Sequence, residues 1–209
     1  MRYRSRPAQQ PPGDLTGFPT QSVTGRWFRE HQYRNTDDGG CWFFSSAPPK
    51  AGARWDLPAP AGTCYFGSSA AVAARERVGH LIARHMPVPE DLVVGRVVST
   101  IDVTDLKLQP ASLHAELAAN RFGVTAELSS TADYPLTQQW AQALHSQGHI
   151  GLTYTPGFSP GGEAVALFGS VEAPQLTPVV ARRPLIDVLG ELGIPVYKTP
   201  RSGGLTILH

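Results

Sequence analysis

The clearest periodic pattern of apolar residues runs from Ser68 to His85 and predicts a helix. A serine at its start and Pro87 just beyond its end are typical helix boundaries. At 100° per residue, one face of this helix collects Ala71, Val72, Val78, Gly79 and Ile82. Glu76 falls at the border of that face, one turn after Val72. The helix is therefore expected to hold a carboxylate beside apolar surface.

The rest of the chain mixes short strand and helix patterns. Aromatic and β-branched runs predict strands at 41–45, 63–67, 150–154, 163–168 and 204–208, and one long or two broken strands over 92–103. Helical patterns cover 110–120, 135–147 and 184–192. Because the two kinds of element do not alternate regularly, the pattern favours an α+β fold over a doubly wound sheet.

The distribution of proline and glycine suggests one domain preceded by an arm. The chain has 209 residues, with 21 Gly and 19 Pro, which excludes long helical bundles and coiled coils. Residues 1–22 are rich in proline and polar residues and are predicted to form a flexible N-terminal arm. Residues 23–209 are predicted to form a single domain.

Charge and motif content exclude several classes of function. Eighteen Lys and Arg balance seventeen Asp and Glu, so the chain has no overall excess of positive charge that would favour binding to nucleic acid. No apolar run is long enough to span a membrane, and the N-terminus lacks the apolar core of a secretion signal. Cys41 and Cys64 form no disulfide framework, which favours reduced thiols and a cytoplasmic location. His80 and His85, five apart on one helix, do not share a side, so no metal site is expected.

Four residues form a chemically coherent group. Arg29 follows an aromatic pair, Arg54 lies in a loop between short strands, Tyr65 is within a strand, and Glu76 is on the first helix. Two arginines supply planar, permanently charged guanidinium groups, which suit a pyrophosphate. A tyrosine offers a flat face and a hydroxyl to a heteroaromatic ring. A carboxylate beside an apolar face can stabilise positive charge at a sugar carbon.

The order and spacing of these residues resemble the RES domain family. The resemblance rests on four segments, Trp27-Phe-Arg29-Glu-His31, Gly52-Ala-Arg-Trp-Asp-Leu-Pro58, Gly62-Thr-Cys-Tyr65 and Ala73-Ala-Arg-Glu76-Arg-Val-Gly79. It continues to Ala164-Val-Ala-Leu-Phe168, so that it is strongest over residues 25–169. No single segment is specific, but the ordered set is.

The resemblance implies a fold and an activity. Members of this family are toxins of RES–Xre toxin–antitoxin pairs and have an ADP-ribosyltransferase-like mixed β-sheet core with flanking helices. They degrade NAD+ at the nicotinamide–ribose bond by phosphorolysis or hydrolysis, and some transfer ADP-ribose to a protein. The expected partners are therefore NAD+ as substrate, inorganic phosphate as a possible co-substrate and an Xre-type antitoxin, with no permanently bound cofactor.

The resemblance also assigns roles to individual residues. Glu76 would be the catalytic carboxylate, and Arg29 would be the family's arginine, which acts in catalysis and binds NAD phosphate or ribose. Arg54 would be a second anion ligand, and Tyr65 would stack on or orient the nicotinamide. The spacing does not separate phosphorylase, hydrolase and transferase activities.

The sequence departs from the family pattern at its serine. The chain reads Gly151-Leu-Thr-Tyr-Thr-Pro-Gly157, which places Pro156 where the serine is expected. Proline has no side-chain or backbone donor to offer. Thr155 and Ser159 are the nearest hydroxyls and are the candidates to replace it. Two alternatives to an active enzyme thus stay open: a catalytically weak or inactive domain that binds a nucleotide or a protein, and an unrelated α+β domain.

Overall fold

The computed structural model describes residues 8–33, 38–46, 52–172 and 176–198. The strands in these ranges are β1 (Arg26–Gln32), β2 (Ala61–Gly67), β3 (Val88–Pro89), β4 (Arg96–Asp102), β5 (Ala111–Ser112), β6 (Gly151–Tyr154), β7 (Ala164–Ser170), β8 (Val179–Pro184) and β9 (Val196–Tyr197). The α-helices are α1 (Ala70–Ile82), α2 (Glu116–Phe122), α3 (Ala126–Ser130), α4 (Tyr134–Ser146) and α5 (Leu185–Glu191). Short 3-10 turns lie at Asp38–Trp42, Glu90–Leu92 and Thr104–Leu106.

Seven strands form one mixed sheet in the order β5-β6-β7-β2-β1-β4-β8. All neighbours in it are antiparallel except the parallel pair β5–β6, while β3 and β9 form a separate parallel pair. This arrangement confirms the predicted α+β fold with a mixed sheet and flanking helices. The two central strands barely touch, because β1 and β2 pair only at Phe28 and Gly67. The sheet is therefore open between them.

Helices cover two separate parts of one sheet face. Helices α2, α3 and α4 bury Phe122, Leu128 and Trp140 against residues of β6 and β7. Helices α1 and α5 bury Val78 and Leu189 around β4. The opposite sheet face carries a third cluster, formed by Trp27, Trp42, Phe44, Phe66, Ile101 and Val165. The space between the two helix groups lies over the open centre of the sheet.

Helix α1 begins as its sequence predicts and buries most of the predicted face. The Ser69 hydroxyl accepts a hydrogen bond of 3.1 Å from the Val72 backbone N–H, which caps the first turn. Val72, Val78 and Gly79 are buried, whereas Ile82 from the same predicted face is 40% exposed. No helix in the described part of the chain is long and apolar enough to cross a membrane.

Most of the predicted elements are present. Strands β2, β6 and β7 and helices α1, α4 and α5 lie where the sequence predicts them. The strand pattern over 92–103 forms β4 at 96–102, after a 3-10 turn. The strand predicted over 204–208 lies outside the described residues.

Two predicted elements are wrong. The stretch 41–45 is not a strand, since Asp38–Trp42 forms a 3-10 turn, and only isolated bridges follow at Ser45 and Ser46. Two glycines follow Asp38 in this turn, and a Cβ on Gly40 would lie 2.8 Å from the His31 ring. The helix predicted over 110–120 has the wrong start: its first residues form β5, and the helix α2 begins only at Glu116.

The described part of the N-terminal segment differs from the expected arm. Leu15 and Phe18 are 2% and 5% exposed and belong to the core that α4 covers. The Trp140 indole donates a 2.7 Å hydrogen bond to the Gln9 carbonyl. The Gln21 backbone N–H donates to the Pro110 carbonyl at 3.0 Å. Residues 8–22 thus pack against the domain, because a few apolar side chains among the prolines supply enough buried surface.

Candidate active site

A cavity of about 530 Å³ occupies the space over the centre of the sheet. Helix α1 borders it on one side, and α3 and α4 on the other. Four of the predicted site residues, Arg29, Arg54, Tyr65 and Glu76, line it together. Much of the remaining wall is aromatic and consists of Phe28, Tyr134, Tyr154 and Phe158. The structure therefore brings the four residues into one site, although 47 positions separate the first from the last.

Glu76 presents its carboxylate to this cavity from α1. Its Oε1 accepts a 2.8 Å hydrogen bond from the Phe158 backbone N–H. Burial raises the pKa of Glu76 above its ordinary value of 4.5, whereas the backbone N–H groups of Phe158 and Gly157 and the charge of Arg54 act in the opposite direction. The carboxylate is thus partly desolvated but held in place, as a group that acts on developing positive charge needs to be.

The loop that donates to Glu76 packs directly on Gly79 of α1. A Cβ on Gly79 would lie 2.2 Å from Cγ of Phe158 and 2.3 Å from its Cβ. Real Cβ atoms do not approach so closely, so the absence of a side chain at Gly79 allows Phe158 to sit over the helix. This glycine therefore positions the backbone N–H that holds Glu76.

Substituting Gly79→Ala is expected to displace Phe158 and lower the free energy of unfolding by about 1–3 kcal/mol, as overpacking does. Gly190→Ala is the matched control, because Gly190 lies in α5 and a Cβ there meets nothing within 4 Å. That change is expected to stabilise the protein by up to about 1 kcal/mol. Urea unfolding of the two variants checks this, and equal midpoints would contradict the packing argument.

Arg29 borders the cavity, but part of its guanidinium is already bonded. Its Nη1 donates to the Cys41 carbonyl at 3.0 Å and to Sγ of Cys64, and its Cζ lies 5.8 Å from the centre of the Phe66 ring. Strand alternation places it on the sheet face opposite Phe28. It borders the cavity because the sheet is open between β1 and β2.

The thiols beside Arg29 are structural. Cys41 and Cys64 are both free and buried. Burial raises the pKa of Cys41 to about 12 and that of Cys64 to about 11, although the charge of Arg29 acts in the opposite direction. Both cysteines are therefore protonated at neutral pH and act as neutral partners of the guanidinium.

Arg54 reaches the cavity from the loop before β2 and is held by α4 and its preceding segment. Its Nη1 donates to the Thr131 carbonyl, and its guanidinium lies 5.2 Å from the centre of the Tyr134 ring. The Thr137 hydroxyl donates to the Arg54 carbonyl, so the loop backbone is also fixed. The remaining guanidinium donors are available to an anion.

Tyr65 contributes its ring to the cavity, whereas its hydroxyl serves the loop. The hydroxyl donates a 2.7 Å hydrogen bond to Oδ1 of Asp56 and accepts one of 3.0 Å from the Trp55 backbone N–H. Asp56 is 4% exposed, and its Oδ2 accepts a 2.8 Å bond from the Ala53 backbone N–H. The hydroxyl is thus occupied in shaping the loop that carries Arg54, and the aromatic face is what Tyr65 offers to a ligand.

Burial and the nearby carboxylate keep this tyrosine neutral. Desolvation raises the pKa of Tyr65 well above its ordinary value, and the charge of Asp56 adds to that effect. Tyr65 is therefore a hydrogen-bond donor to Asp56 over the whole physiological range of pH.

The two hydroxyls expected to replace the family's serine lie elsewhere. Thr155 is exposed, and its Oγ1 lies 3.5 Å from Nδ1 of His114. Ser159 is 2% exposed, and its Oγ has no hydrogen-bond partner in the described part of the chain. Neither residue lines the cavity, and Pro156 between β6 and this loop is buried. The structure thus brings Arg29, Arg54, Tyr65 and Glu76 together but leaves Thr155 and Ser159 outside.

Comparison with protein families identifies the chain. Residues 26–187 match the family described as "RES domain". The chain belongs to the RES domain family. The match covers more than three quarters of its length and includes every cavity-lining residue named above.

Solved structures include a relative of the same fold. This RES domain is similar to a chain in the crystal structure of the M. tuberculosis MbcT–MbcA toxin–antitoxin complex. The TM-score is 0.61 and the sequence identity 16%, with 84% of this chain and 93% of the other covered. No curated protein sequence matches the chain. At this identity the likeness establishes the fold alone.

Sequence reasoning missed several residues that line the site of this RES domain. Tyr154 ends β6, is 7% exposed and packs edge-on against Trp55 with ring centres 5.6 Å apart. Alternation along β6 places it on the face of Leu152, so its position was inferable from the strand. Tyr134 and Phe158 reach the cavity from a helix start and a loop, where no periodic pattern marks them.

Proposed function

We propose that this protein degrades NAD+ by cleaving the bond between nicotinamide and ribose. The observation that carries the proposal is the placement of Glu76, Arg29, Arg54 and Tyr65 in one cavity. Membership of the RES domain family supports it, since the same residues carry the resemblance to that family. Nicotinamide released on incubation with NAD+ is the direct readout.

In this proposal Glu76 is the catalytic carboxylate. Loss of neutral nicotinamide leaves positive charge on the ribose carbon, and water, phosphate or a protein side chain then attacks that carbon. A carboxylate fixed by a backbone N–H and partly removed from water stabilises such charge without reorganising.

The other residues would bind NAD+ and its co-substrate. Arg54 and the Arg29 guanidinium would hold anionic groups, including inorganic phosphate if the reaction is a phosphorolysis. The Tyr65 ring would stack on the nicotinamide. No role is assigned to Thr155 or Ser159, because neither faces the cavity.

A catalytically silent domain is the second candidate, and Pro156 favours it. The expected serine is missing, and the structure brings no other hydroxyl from Thr155 or Ser159 to its place. Calorimetric binding of NAD+ without nicotinamide release on long incubation would select this candidate. Modification of a protein by radiolabelled NAD+ would instead select an ADP-ribosyltransferase.

We also propose that the protein acts in the cytoplasm as the toxin of a toxin–antitoxin pair, with an Xre-type antitoxin as partner. A structural relative is a chain of a complex described as toxin–antitoxin, which supports this. Growth arrest on expression alone, relieved by co-expression of a neighbouring Xre-type gene, is the expected result. Growth unaffected by expression of the chain would oppose it.

The rate of nicotinamide release is expected to fall at acidic pH with a midpoint above 4.5. The ionised carboxylate is the active form, and burial raises the pKa of Glu76, so it is lost earlier as pH falls. Arg54→Gln removes a charge that favours the carboxylate and is expected to move the midpoint further up. A pH profile of kcat/KM, which reports groups of the free enzyme, measures both shifts, and a midpoint at or below 4.5 would exclude Glu76 as the titrating group.

A further inference from the structure

Arg77 is a cavity-lining residue to which the family resemblance gives no role. It follows Glu76 on α1 and lines the same cavity. Its Nε is buried and has no hydrogen-bond partner in the described part of the chain. A buried guanidinium donor without a partner is costly, so its position needs a compensating contact.

The acidic side chain whose charge acts on Arg77 does not supply that contact. Glu30 on β1 forms a bidentate ion pair with Arg96. The Arg96 Nε donates to Oε1 of Glu30, and its Nη2 donates to Oε2 at 3.1 Å. Burial lowers the pKa of Arg77, and the charge of Arg96 adds to the effect while that of Glu30 opposes it. Arg77 remains charged, since an arginine keeps its proton at neutral pH. This end of the cavity thus has an excess of positive charge.

Arg77 lies toward the β1 side of the cavity. Phe28 and Glu30 of β1 line the cavity together with Arg77, and the charge of Glu30 acts on Arg77. Arg54 enters the cavity beside Tyr134, which borders its other side. Glu76 is the neighbour of Arg77 on α1, so a ligand that reacts at Glu76 can extend toward Arg77.

We propose that Arg77 binds the diphosphate of the dinucleotide at the β1 end of the cavity. The proposal rests on the proposed function in that NAD+ is the molecule that carries the diphosphate. Arg29, to which sequence reasoning gave this role, has Nη1 bonded to Cys41 and Cys64. Arg77 lines the cavity, and the terminal nitrogens of its planar guanidinium suit phosphate oxygens, as in arginine–phosphate pairs elsewhere.

The test compares three probes on the full chain by calorimetry: NAD+, inorganic pyrophosphate and nicotinamide riboside, which lacks phosphate. Arg77→Gln is expected to weaken binding of NAD+ and pyrophosphate by about 10- to 100-fold, as loss of a charge-assisted pair does. Binding of nicotinamide riboside should change less than about two-fold, because no phosphate is involved. Arg84→Gln, at an exposed position just after α1, is the control and should bind all three probes as the unmodified protein does.

The same variants show whether a loss of binding comes from the missing guanidinium or from misfolding. Arg77→Gln is expected to unfold at a temperature close to that of the unmodified protein, since the Nε that it removes has no hydrogen-bond partner among the described residues. Should that variant not fold, Arg77→Lys, which keeps the charge but not the fork, is expected to bind pyrophosphate with intermediate affinity.

Several outcomes would overturn the subsite. The first is that the glutamine or lysine variant binds NAD+ and pyrophosphate as tightly as the unmodified protein does. The second is an equal loss of affinity for all three probes. The third is that the unmodified protein binds neither NAD+ nor pyrophosphate. Binding of pyrophosphate that depends on Arg77, without any binding of NAD+, would instead keep the subsite and refute the proposed function.

Discussion

Replacing Glu76 with glutamine is expected to reduce nicotinamide release from NAD+ by about 10²- to 10⁴-fold, the range found for removal of a catalytic carboxylate or an electrostatic stabiliser. Glutamine keeps the size of the side chain and an oxygen that can accept from the Phe158 backbone N–H. It lacks the negative charge that the positively charged ribose carbon needs. Nicotinamide measured by chromatography over time gives the rate.

The same variant is expected to fold at least as stably as the unmodified protein. Burial raises the pKa of Glu76, so its contribution to the free energy of unfolding is greatest when it is protonated and is lost as pH rises through the folded-state pKa. At neutral pH, glutamine avoids that loss. Glu116→Gln, an exposed change in α2, is the matched control and should keep full activity. Normal turnover in the Glu76 variant would remove Glu76 from the mechanism.

Replacing Asp56 with alanine is expected to lower the free energy of unfolding by about 2–3 kcal/mol, because it leaves the buried Tyr65 hydroxyl without its acceptor. It also removes the carboxylate oxygen that accepts from the Ala53 backbone N–H. The Ser45 hydroxyl also loses Asp56 but keeps the Thr63 carbonyl. The loop that carries Arg54 should loosen, so NAD+ binding should weaken together with stability.

Two further variants test this account of the loop. Asp102→Ala removes an exposed carboxylate whose hydrogen bonds, among the described residues, come from Thr104, and it should lower the free energy of unfolding much less. Tyr65→Phe removes one of the donors to Asp56, and its loss in free energy of unfolding should lie between those of the Asp56 and Asp102 variants. Urea unfolding gives the midpoints and slopes. Equal midpoints for the Asp56 and Asp102 variants would show that the network does not hold the loop.

Elements with a one-sided apolar pattern were predictable from the sequence. Helix α1 buries one stripe, whereas β6 and β7 were predictable as short, mostly apolar runs that are buried on both faces of the sheet. Strand β1 was missed because its central residues, including Arg29 and Glu30, are charged and half-buried on both faces. Strand β8 was missed because it lies at the sheet edge, with most of its residues exposed. Neither has the alternation by which strands are recognised.

The site was predictable in its composition but not in its contacts. The order of Arg29, Arg54, Tyr65 and Glu76 was enough to group them, and the structure places all four around one cavity. That the Tyr65 hydroxyl is bound by Asp56 depends on how a loop folds back on a strand, which no local pattern encodes.

Arg77 was missed for a related reason. On the helix wheel it falls on the polar side of α1, where an arginine is ordinarily solvated. Only the sheet and loop packed against the helix make that side a cavity wall. At the position of the family's serine, the sequence alone shows that Pro156 replaces it. Whether Thr155 or Ser159 reaches the cavity depends on the conformation of the loop, which the sequence pattern does not predict.

The central claim is that this RES domain cleaves NAD+ at the nicotinamide–ribose bond. Its most direct test is incubation of the purified chain with NAD+, with and without inorganic phosphate, followed by identification of the products by mass spectrometry. Free nicotinamide is the predicted result, together with ADP-ribose-1''-phosphate for phosphorolysis or ADP-ribose for hydrolysis. Unchanged NAD+ after prolonged incubation under both conditions, with a folded protein, would contradict the claim.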